Sequence, residues 1–172
     1  MRRLGILVAI SACPGKAPQP APHNETTYHP TDNDVDAEVT QRSPDEWGVR
    51  VTRTQGERTA SVTIITTTPP KPGAPAPHAE LAAADAWLAI AREAFAAGVH
   101  ADAITAARAG IKAIGADYRP KLVKDDTAIR LAMADESIQG GDAKEGATSL
   151  ISVLDQRVHM YFLRYPHALR RQ

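Results

Sequence analysis

The chain is poor in cysteine and in aromatic residues. Its 172 residues include one cysteine, Cys13, together with two tryptophans, four tyrosines and two phenylalanines. A single thiol cannot close an intramolecular disulfide, and it excludes any metal site built from a cluster of cysteines. The formal charge is also zero, with 20 basic and 20 acidic side chains. This balance argues against sequence-independent nucleic-acid binding, which needs a concentrated basic face.

The sequence also lacks the motifs of the common catalytic sites. It has no GxSxG, no glycine-rich phosphate loop and no HExxH. Ser152, Asp155 and His159 share one face of a predicted helix, but successive turns of one helix supply no oxyanion hole. The six histidines are scattered, which argues against a metal site. We therefore expect no catalytic residue, no metal and no cofactor, and interpret the chain as not being an enzyme.

The first thirteen residues have the order of an export signal. Arg2 and Arg3 precede a short apolar run over residues 4–10, and two small residues lead to Cys13. The stretch Ile10-Ser11-Ala12-Cys13 resembles the lipobox of bacterial lipoproteins. The resemblance implies a signal peptide over 1–12, lipidation of Cys13 and anchorage in the cell envelope, with the outer membrane as the favoured location. A soluble exported protein and a cytoplasmic protein remain the alternatives.

A proline-rich segment follows the cysteine. Residues 14–30 show no hydrophobic periodicity, and we interpret residues 13–37 as a disordered tether that begins at the lipidated cysteine. Asp32, Asp34 and Asp36 have the spacing of an EF-hand loop. Ala37 and Ser43, however, stand where that loop needs glycine and glutamate, so a solvated acidic linker is favoured.

Two alternating runs then predict a small β-structure over residues 38–68. Trp47, Val49 and Val51 alternate with polar or small residues, and a second run rich in β-branched residues follows. Gly56 fits the tight turn of a β-hairpin between them. Because an isolated hairpin is marginal in water, either residues 38–41 add a third strand or the Trp47 face packs on the helical part or on a partner. A second proline-rich linker over residues 69–78 separates this hairpin from the rest of the chain.

The second half is periodic at helical spacing. Glycines at 98, 115 and 140–141 divide residues 79–166 into four helices, the last capped by Asp142, and residues 167–172 form a tail. Their apolar stripes are, in chain order, Leu81, Ala84, Leu88, Ala91 and Phe95; Ile104, Ala107, Ile111 and Ile114; Ile129, Ala132, Met133 and Ile138; and Ala147, Leu150, Leu154, Val158, Tyr161 and Tyr165. The carboxylates Asp85 and Glu93 are assigned to the solvated face of the first helix.

One segment of this half resembles a tetratricopeptide repeat. The residues that carry the resemblance are Trp87, Ile90-Ala91, Gly98, Ala103 and Gly110. The resemblance implies about two repeats of antiparallel helical hairpins, and a plain four-helix bundle is the alternative. The fold expected from the sequence is therefore mainly α, with a small N-terminal β-hairpin and disordered proline-rich linkers.

The candidate binding residues concentrate near the C-terminus. The sequence between His159 and the end contains three of the eight aromatic residues together with several arginines. Such residues bury themselves on a bundle, form a contact site for a partner, or contact anionic lipid headgroups. The candidates are Trp87, Tyr161, Phe162, Arg164 and Tyr165.

The sequence therefore leads to a membrane-anchored cell-envelope lipoprotein that acts as a non-catalytic protein–protein interaction or scaffold module. Its expected partners are the membrane, through the lipid on Cys13, and an unidentified envelope protein, with self-association also open. The alternative is a small-ligand-binding domain or enzyme accessory subunit that uses the groove between helix pairs.

Overall fold

The computed structural model describes residues 25–28, 36–115 and 121–171 of the chain. In this part of the chain four strands precede four helices, and a short fifth strand follows them. The strands are β1 (Glu25–Tyr28), β2 (Ala37–Ser43), β3 (Glu46–Gln55), β4 (Arg58–Thr66) and β5 (Leu169–Arg171). The helices are α1 (Ala79–Ala96), α2 (His100–Ala113), α3 (Lys121–Gln139) and α4 (Ala143–Arg164).

The strands form one antiparallel sheet in the order β1-β2-β3-β4-β5. Alternation along β3 and β4 directs Val49, Val51 and Ile64 to the inner face, where all three are fully buried. Burying each of these side chains contributes about 1.5–3 kcal/mol. The outer face bears hydroxyls that pair across the strands: Thr52 Oγ1 lies 2.7 Å from Ser61 Oγ, and Thr54 Oγ1 lies 3.1 Å from Thr59 Oγ1. The sheet therefore has one apolar face and one polar face.

The prediction of a mainly α fold is wrong, because the sheet and the helices form one mixed α/β structure. The predicted β-hairpin is present as β3 and β4, and Gly56 takes a positive φ of 59° in its turn. Three further strands extend it, and its inner face packs on α1. One core cluster joins residues of the sheet to residues of the helices; it includes Val39, Val49, Val51, Ile64, Leu81, Leu88, Leu154 and Val158.

Segments that the sequence assigns to linkers and a tail take part in this structure. β1 lies within the predicted tether, and β5 lies within the predicted tail. The loop before α1 also packs on the protein, since Ala76 is buried in the shared core. The leader and the lipobox lie outside the described residues.

The helices do not form a separate four-helix domain, because the sheet packs on α1. α1 and α2 are antiparallel neighbours, with Gly98 at a φ of 76° between them. α4 lies against both helices of this pair, and α3 packs on α4. The sheet covers another side of α1. The likeness of these helices to tetratricopeptide repeats stays a prediction.

Alanine allows α1 to pack closely with its neighbours on several sides. Eleven of its residues are buried, and seven of these are alanines. A polar clamp fixes the β3–β4 hairpin to the second helix: Arg58 Nη1 donates to Asp102 Oδ2 at 3.0 Å, and Gln55 Nε2 donates to the Asp102 carbonyl at 3.0 Å. Sheet and helices are thus held together by polar contacts as well as by the core.

Among the described residues, no helix has both the length and the apolar character needed to cross a membrane.

The crossing of α2 and α4 yields a stability prediction at Gly110. A Cβ atom added there would lie 2.5 Å from Leu154 Cδ2 and 3.0 Å from Trp87 Cβ. We expect Gly110→Ala to lower the free energy of unfolding by about 1–3 kcal/mol, the usual cost of overpacking. This cost outweighs the gain of up to ~1 kcal/mol in helix propensity. Urea denaturation followed by circular dichroism measures the difference.

The control for this prediction is the double variant Gly110→Ala with Leu154→Ala. Because the shorter side chain removes the closest clash, the two substitutions together should cost less than the sum of their separate effects. Additive costs, or a Gly110→Ala protein as stable as the wild type, would contradict the close packing at this crossing.

Candidate functional site

Three aromatic rings meet where α1 begins and α4 ends. The ring centroids of Tyr161 and Tyr165 are 4.9 Å apart, and the His78 ring lies 5.9 Å from Tyr161 and 5.2 Å from Tyr165. The His78–Tyr161 contact is edge-to-face, a favoured geometry for aromatic pairs. We call His78, Tyr161 and Tyr165 the aromatic joint. The rings touch one another, so the joint is a packed cluster rather than an open cage.

A hydrogen-bonded carboxylate completes this site. The Tyr161 hydroxyl donates to Glu80 Oε1, and His78 Nδ1 lies 3.4 Å from the same hydroxyl oxygen. Tyr161 is only 3% exposed. Its phenol, once buried, needs a partner for its O–H group, and Glu80 from the first turn of α1 provides one. The joint thereby connects the first turn of α1 to the last turn of α4.

His78 holds an unusual backbone conformation. Among the described residues it is the one non-glycine residue with a positive φ, at 59°. The left-handed region costs an L-residue roughly 1–2 kcal/mol. At this point the chain leaves the proline-rich loop and enters α1, and the His78 carbonyl accepts a hydrogen bond from the Ala82 amide at 3.1 Å. The ring contacts of His78 help to offset the strain.

The surroundings of His78 also alter its acid–base behaviour. Burial of the imidazole lowers the pKa of His78 below its ordinary value of 6.5, because desolvation disfavours the charged form, and the nearby Glu80 carboxylate opposes this shift. The neutral imidazole is therefore the form that suits the packed joint.

The structure brings together some of the predicted binding residues and separates others. Tyr161 and Tyr165 belong to the aromatic joint, and the Arg164 guanidinium carbon lies 5.9 Å from the centroid of the Tyr165 ring. Phe162 packs against the shared core. Trp87 lies apart from this group, beside Gly110 at the contact between α1 and α2. Cys13 lies outside the described residues.

Two sequence-based assignments of polar residues have different outcomes. Asp85 does not lie on a solvated face: it is 1% exposed, which makes it a buried carboxylate in the middle of α1. The predicted surface position is wrong because α1 is covered on more sides than one apolar stripe suggests. Glu93 lies on the solvated face as predicted, since its side chain is 63% exposed. Asp155, on the last helix, forms an ion pair with Arg92, with Nη2 and Oδ1 2.9 Å apart, so its carboxylate bridges α4 to α1.

A different surface is formed by the outward side of α3. From residue 126 onward, the residues of α3 that are buried or partly buried are Thr127, Leu131, Ala134, Ser137 and Ile138, which lie on one side of the helix. Ile129 and Met133 lie on the opposite side and are 60% and 59% exposed. The prediction that Ile129 and Met133 lie on the packed face of α3 is wrong. The packed face includes the polar residue Thr127, so apolar character alone does not identify it. We call Ile129 and Met133 the α3 patch.

No group of three or more metal-ligating side chains lies close together in the described ranges. Comparison of the chain with protein-family models, with curated proteins and with solved structures returns no match. The functional argument therefore depends on the leader sequence, the aromatic joint and the exposed surfaces.

The buried imidazole predicts how stability depends on pH. Below about pH 6.5 the unfolded chain protonates His78, whereas the native joint resists protonation. The contribution of His78 is thus fully favourable above pH 6.5 and declines as the pH falls towards and through the lowered native pKa. Urea denaturation at pH 7.5 and pH 5 should show a larger loss for the wild type than for His78→Asn.

His78→Asn is the suitable comparison because asparagine tolerates positive φ and does not titrate in this range. Carboxylates elsewhere titrate in both proteins, so their effect cancels in the difference. Equal losses in the two proteins would show that the imidazole is not desolvated in the folded chain.

Proposed function

We propose that the chain is a bacterial cell-envelope lipoprotein, held to its membrane by a lipid on Cys13. Support comes from the leader, in which positive charge, an apolar run and small residues precede the cysteine. The first described strand, β1, begins at Glu25, twelve residues after Cys13. At no more than about 3.6 Å per residue, the intervening segment spans at most ~43 Å. The anchor therefore keeps the folded part close to the bilayer.

We further propose that the protein acts without catalysis, by binding an envelope protein through the α3 patch. The observation that carries this proposal is the exposure of Ile129 and Met133 on one side of a helix whose other side packs on α4. Methionine adapts its shape to irregular apolar surfaces and is frequent at binding sites. An ion pair between Arg130 Nε and Asp126 Oδ2 at 2.8 Å borders the patch and gives it a polar rim. Lipid attachment raises the local concentration of the module for partners in the same membrane.

The anchor is tested by the substitution Cys13→Ala in cells. The wild type should sediment with membranes, and mass spectrometry should find an acylated Cys13 at its mature N-terminus. Cys13→Ala should lack the acyl chains and lose its membrane attachment, because no other lipid anchor is proposed. An unprocessed wild-type chain that begins at Met1 and stays in the cytosol would overturn this part of the proposal.

The contact is tested with a photo-crosslinking amino acid placed at position 133 of the full chain in cells. We expect a discrete adduct that is lost when Ile129→Glu is added, because a buried charge at the centre of an apolar contact is costly. The matched control carries the crosslinker at Thr59, an exposed position on the outer face of the sheet. Identical adducts from both positions would overturn the contact, and adducts between copies of the chain would show self-association.

One observation favours the alternative of a small-ligand-binding domain or enzyme accessory subunit. Ionisable groups of His78, Glu80 and Tyr161 converge between α1 and α4, which belong to different helix pairs. A small molecule that raises the Tm of the wild type but not that of His78→Asn would support this alternative over protein binding.

A further inference from the structure

One side of β4 is only partly paired with another strand. On the side away from β3, this strand pairs with β5 through residues 63–65 alone. Within the part of the chain that the structure describes, residues 58–62 have no strand beside them on that side. We call residues 58–62 the β4 edge. An unpaired row of backbone groups of this kind is a template on which a further strand can form.

The turn of the β3–β4 hairpin determines which backbone groups of this edge are unpaired. The turn consists of residues 56–57, and Gln55 and Arg58 close it as a pair. In a two-residue hairpin the closing pair exchanges both backbone hydrogen bonds, and every second pair after it does the same. The even-numbered residues of the β4 edge therefore bond to β3. Thr59 and Ser61 direct their N–H and C=O groups to the open side.

The side-chain contacts of the hairpin agree with this assignment. Across an antiparallel pair, side chains lie closest at the positions that exchange no backbone hydrogen bonds. Thr59 and Ser61 occupy such positions, since their hydroxyl oxygens lie 3.1 Å from that of Thr54 and 2.7 Å from that of Thr52. Among the described residues, the N–H and C=O groups of Thr59 and Ser61 thus have no backbone partner.

The sequence of the β4 edge gives it little protection from pairing. Edge strands are commonly protected by proline, by charged side chains or by bulges. Residues 59–62 read TASV, and the register between β3 and β4 continues through them without a bulge. The one charged side chain of the edge, Arg58, already pairs with Asp102 at 3.0 Å and with Glu93 at 3.9 Å. These ion pairs hold the edge against the helices, so little conformational entropy is lost when it binds a strand.

The pattern of unpaired groups on the β4 edge is complementary to itself. When two such edges meet antiparallel about a two-fold axis at Ala60, Thr59 of each copy lies opposite Ser61 of the other. Both residues direct their backbone groups to the shared side, so each of the two pairs exchanges two hydrogen bonds. A register shifted by one residue places unpaired groups opposite paired ones. A shift by two residues meets either β5 at Thr63 or the turn at 56–57.

The side chains around this axis permit the approach of a second copy. Ala60 is partly buried on the inner face of the sheet, and two methyl groups alone would meet at the axis. On the outer face, the hydroxyls of Thr59 and Ser61 would face each other as hydroxyls already do within the hairpin. Residues 59–62 carry no charge, so no repulsion between like charges opposes the pairing. A second copy provides by symmetry the alternation that a foreign strand would have to match.

We infer that the protein forms a two-fold dimer in which the β4 edges of two copies join their sheets into one continuous sheet. The sheets alone make this contact, so it requires neither a lipid on Cys13 nor the α3 patch. Its failure would therefore leave the proposed function as it stands. The dimer carries two α3 patches, which raises its avidity for a partner that is itself present in several copies.

The contact is tested with Ala60→Cys in the full chain that also carries Cys13→Ala, so that position 60 has the sole thiol. Opposite residues that exchange no backbone hydrogen bonds have Cα atoms about 4.5 Å apart, which is within the range of a disulfide. We expect mild oxidation by copper phenanthroline to give a disulfide-linked dimer that a reductant returns to monomer. The matched control is Thr54→Cys, on the neighbouring strand β3. In the dimer its two copies lie about 14 Å apart, so it should not crosslink.

The non-covalent dimer is measured by sedimentation equilibrium of the Cys13→Ala chain over a range of concentrations. Ser61→Pro removes an N–H group that faces the open side and leaves the bonds to β3 intact. By symmetry the dimer loses two hydrogen bonds, and we expect dimerisation to weaken about tenfold or more. The matched control Ser61→Ala keeps the N–H group and should dimerise as the parent chain does. All these chains share one leader, so any association through it cancels, and circular dichroism verifies their fold.

Three results would overturn the inference: a parent chain that stays monomeric at every concentration, equal crosslinking at positions 60 and 54, and undiminished dimerisation of folded Ser61→Pro. In cells, the crosslinker at Thr59 should give adducts between copies, distinct from the adduct at position 133. Adducts of Thr59 with another protein alone would show a foreign strand on the edge and would also overturn the dimer. The lipid anchor is read separately, from the mature N-terminus.

Discussion

The structure depends on the burial of α1. This helix has eleven buried residues, and it is covered by the sheet, by α2 and by α4. α1 in turn provides the apolar surface on which each of these neighbours packs. The small antiparallel sheet gains the apolar layer that an isolated sheet of short strands lacks, and the helices gain a common surface on which to pack. Removing any one neighbour would expose a side of α1 to water, so sheet and helices form one cooperative unit.

Features that depend on local chemistry could be predicted from the sequence. Gly56 and Gly98 take the positive φ values that their turns need, and Asp142 caps α4 by accepting a hydrogen bond from the Glu145 amide at 3.0 Å. These signals involve neighbours within a few residues. The outer strands carry no such signal: β1 and β5 are four and three residues long, and each is defined by its pairing with a strand distant in sequence. Their existence depends on the sheet already formed by β2, β3 and β4.

An apolar stripe in the sequence predicts the buried face of a helix only where the buried residues are themselves apolar. Hydrophobicity and burial coincide at Leu150, Leu154 and Val158 of α4, which are buried as expected. In α3 the buried face includes Thr127, whereas Ile129 and Met133 face outward.

Part of the candidate site was recognisable from the aromatic residues near the C-terminus, which include Tyr161 and Tyr165. His78 and Glu80 were missed because their meeting with α4 is a tertiary contact. The one local signal for this site was the position of His78, directly between a proline-rich loop and a helix.

The aromatic joint links parts of the fold that are distant in the sequence. It ties the end of the proline-rich loop to the last turn of α4, and α4 leads directly into β5 at the edge of the sheet. The last turn of α4 is therefore linked both to the start of α1 and to the edge of the sheet. α3 packs on α4 and also forms an ion pair with α2, between Asp135 and Arg108, and the α3 patch lies on the outward side of α3. The proposed anchor precedes β1, so it would leave the outward side of α3 available for a partner, because β1 and α3 are different elements of the fold.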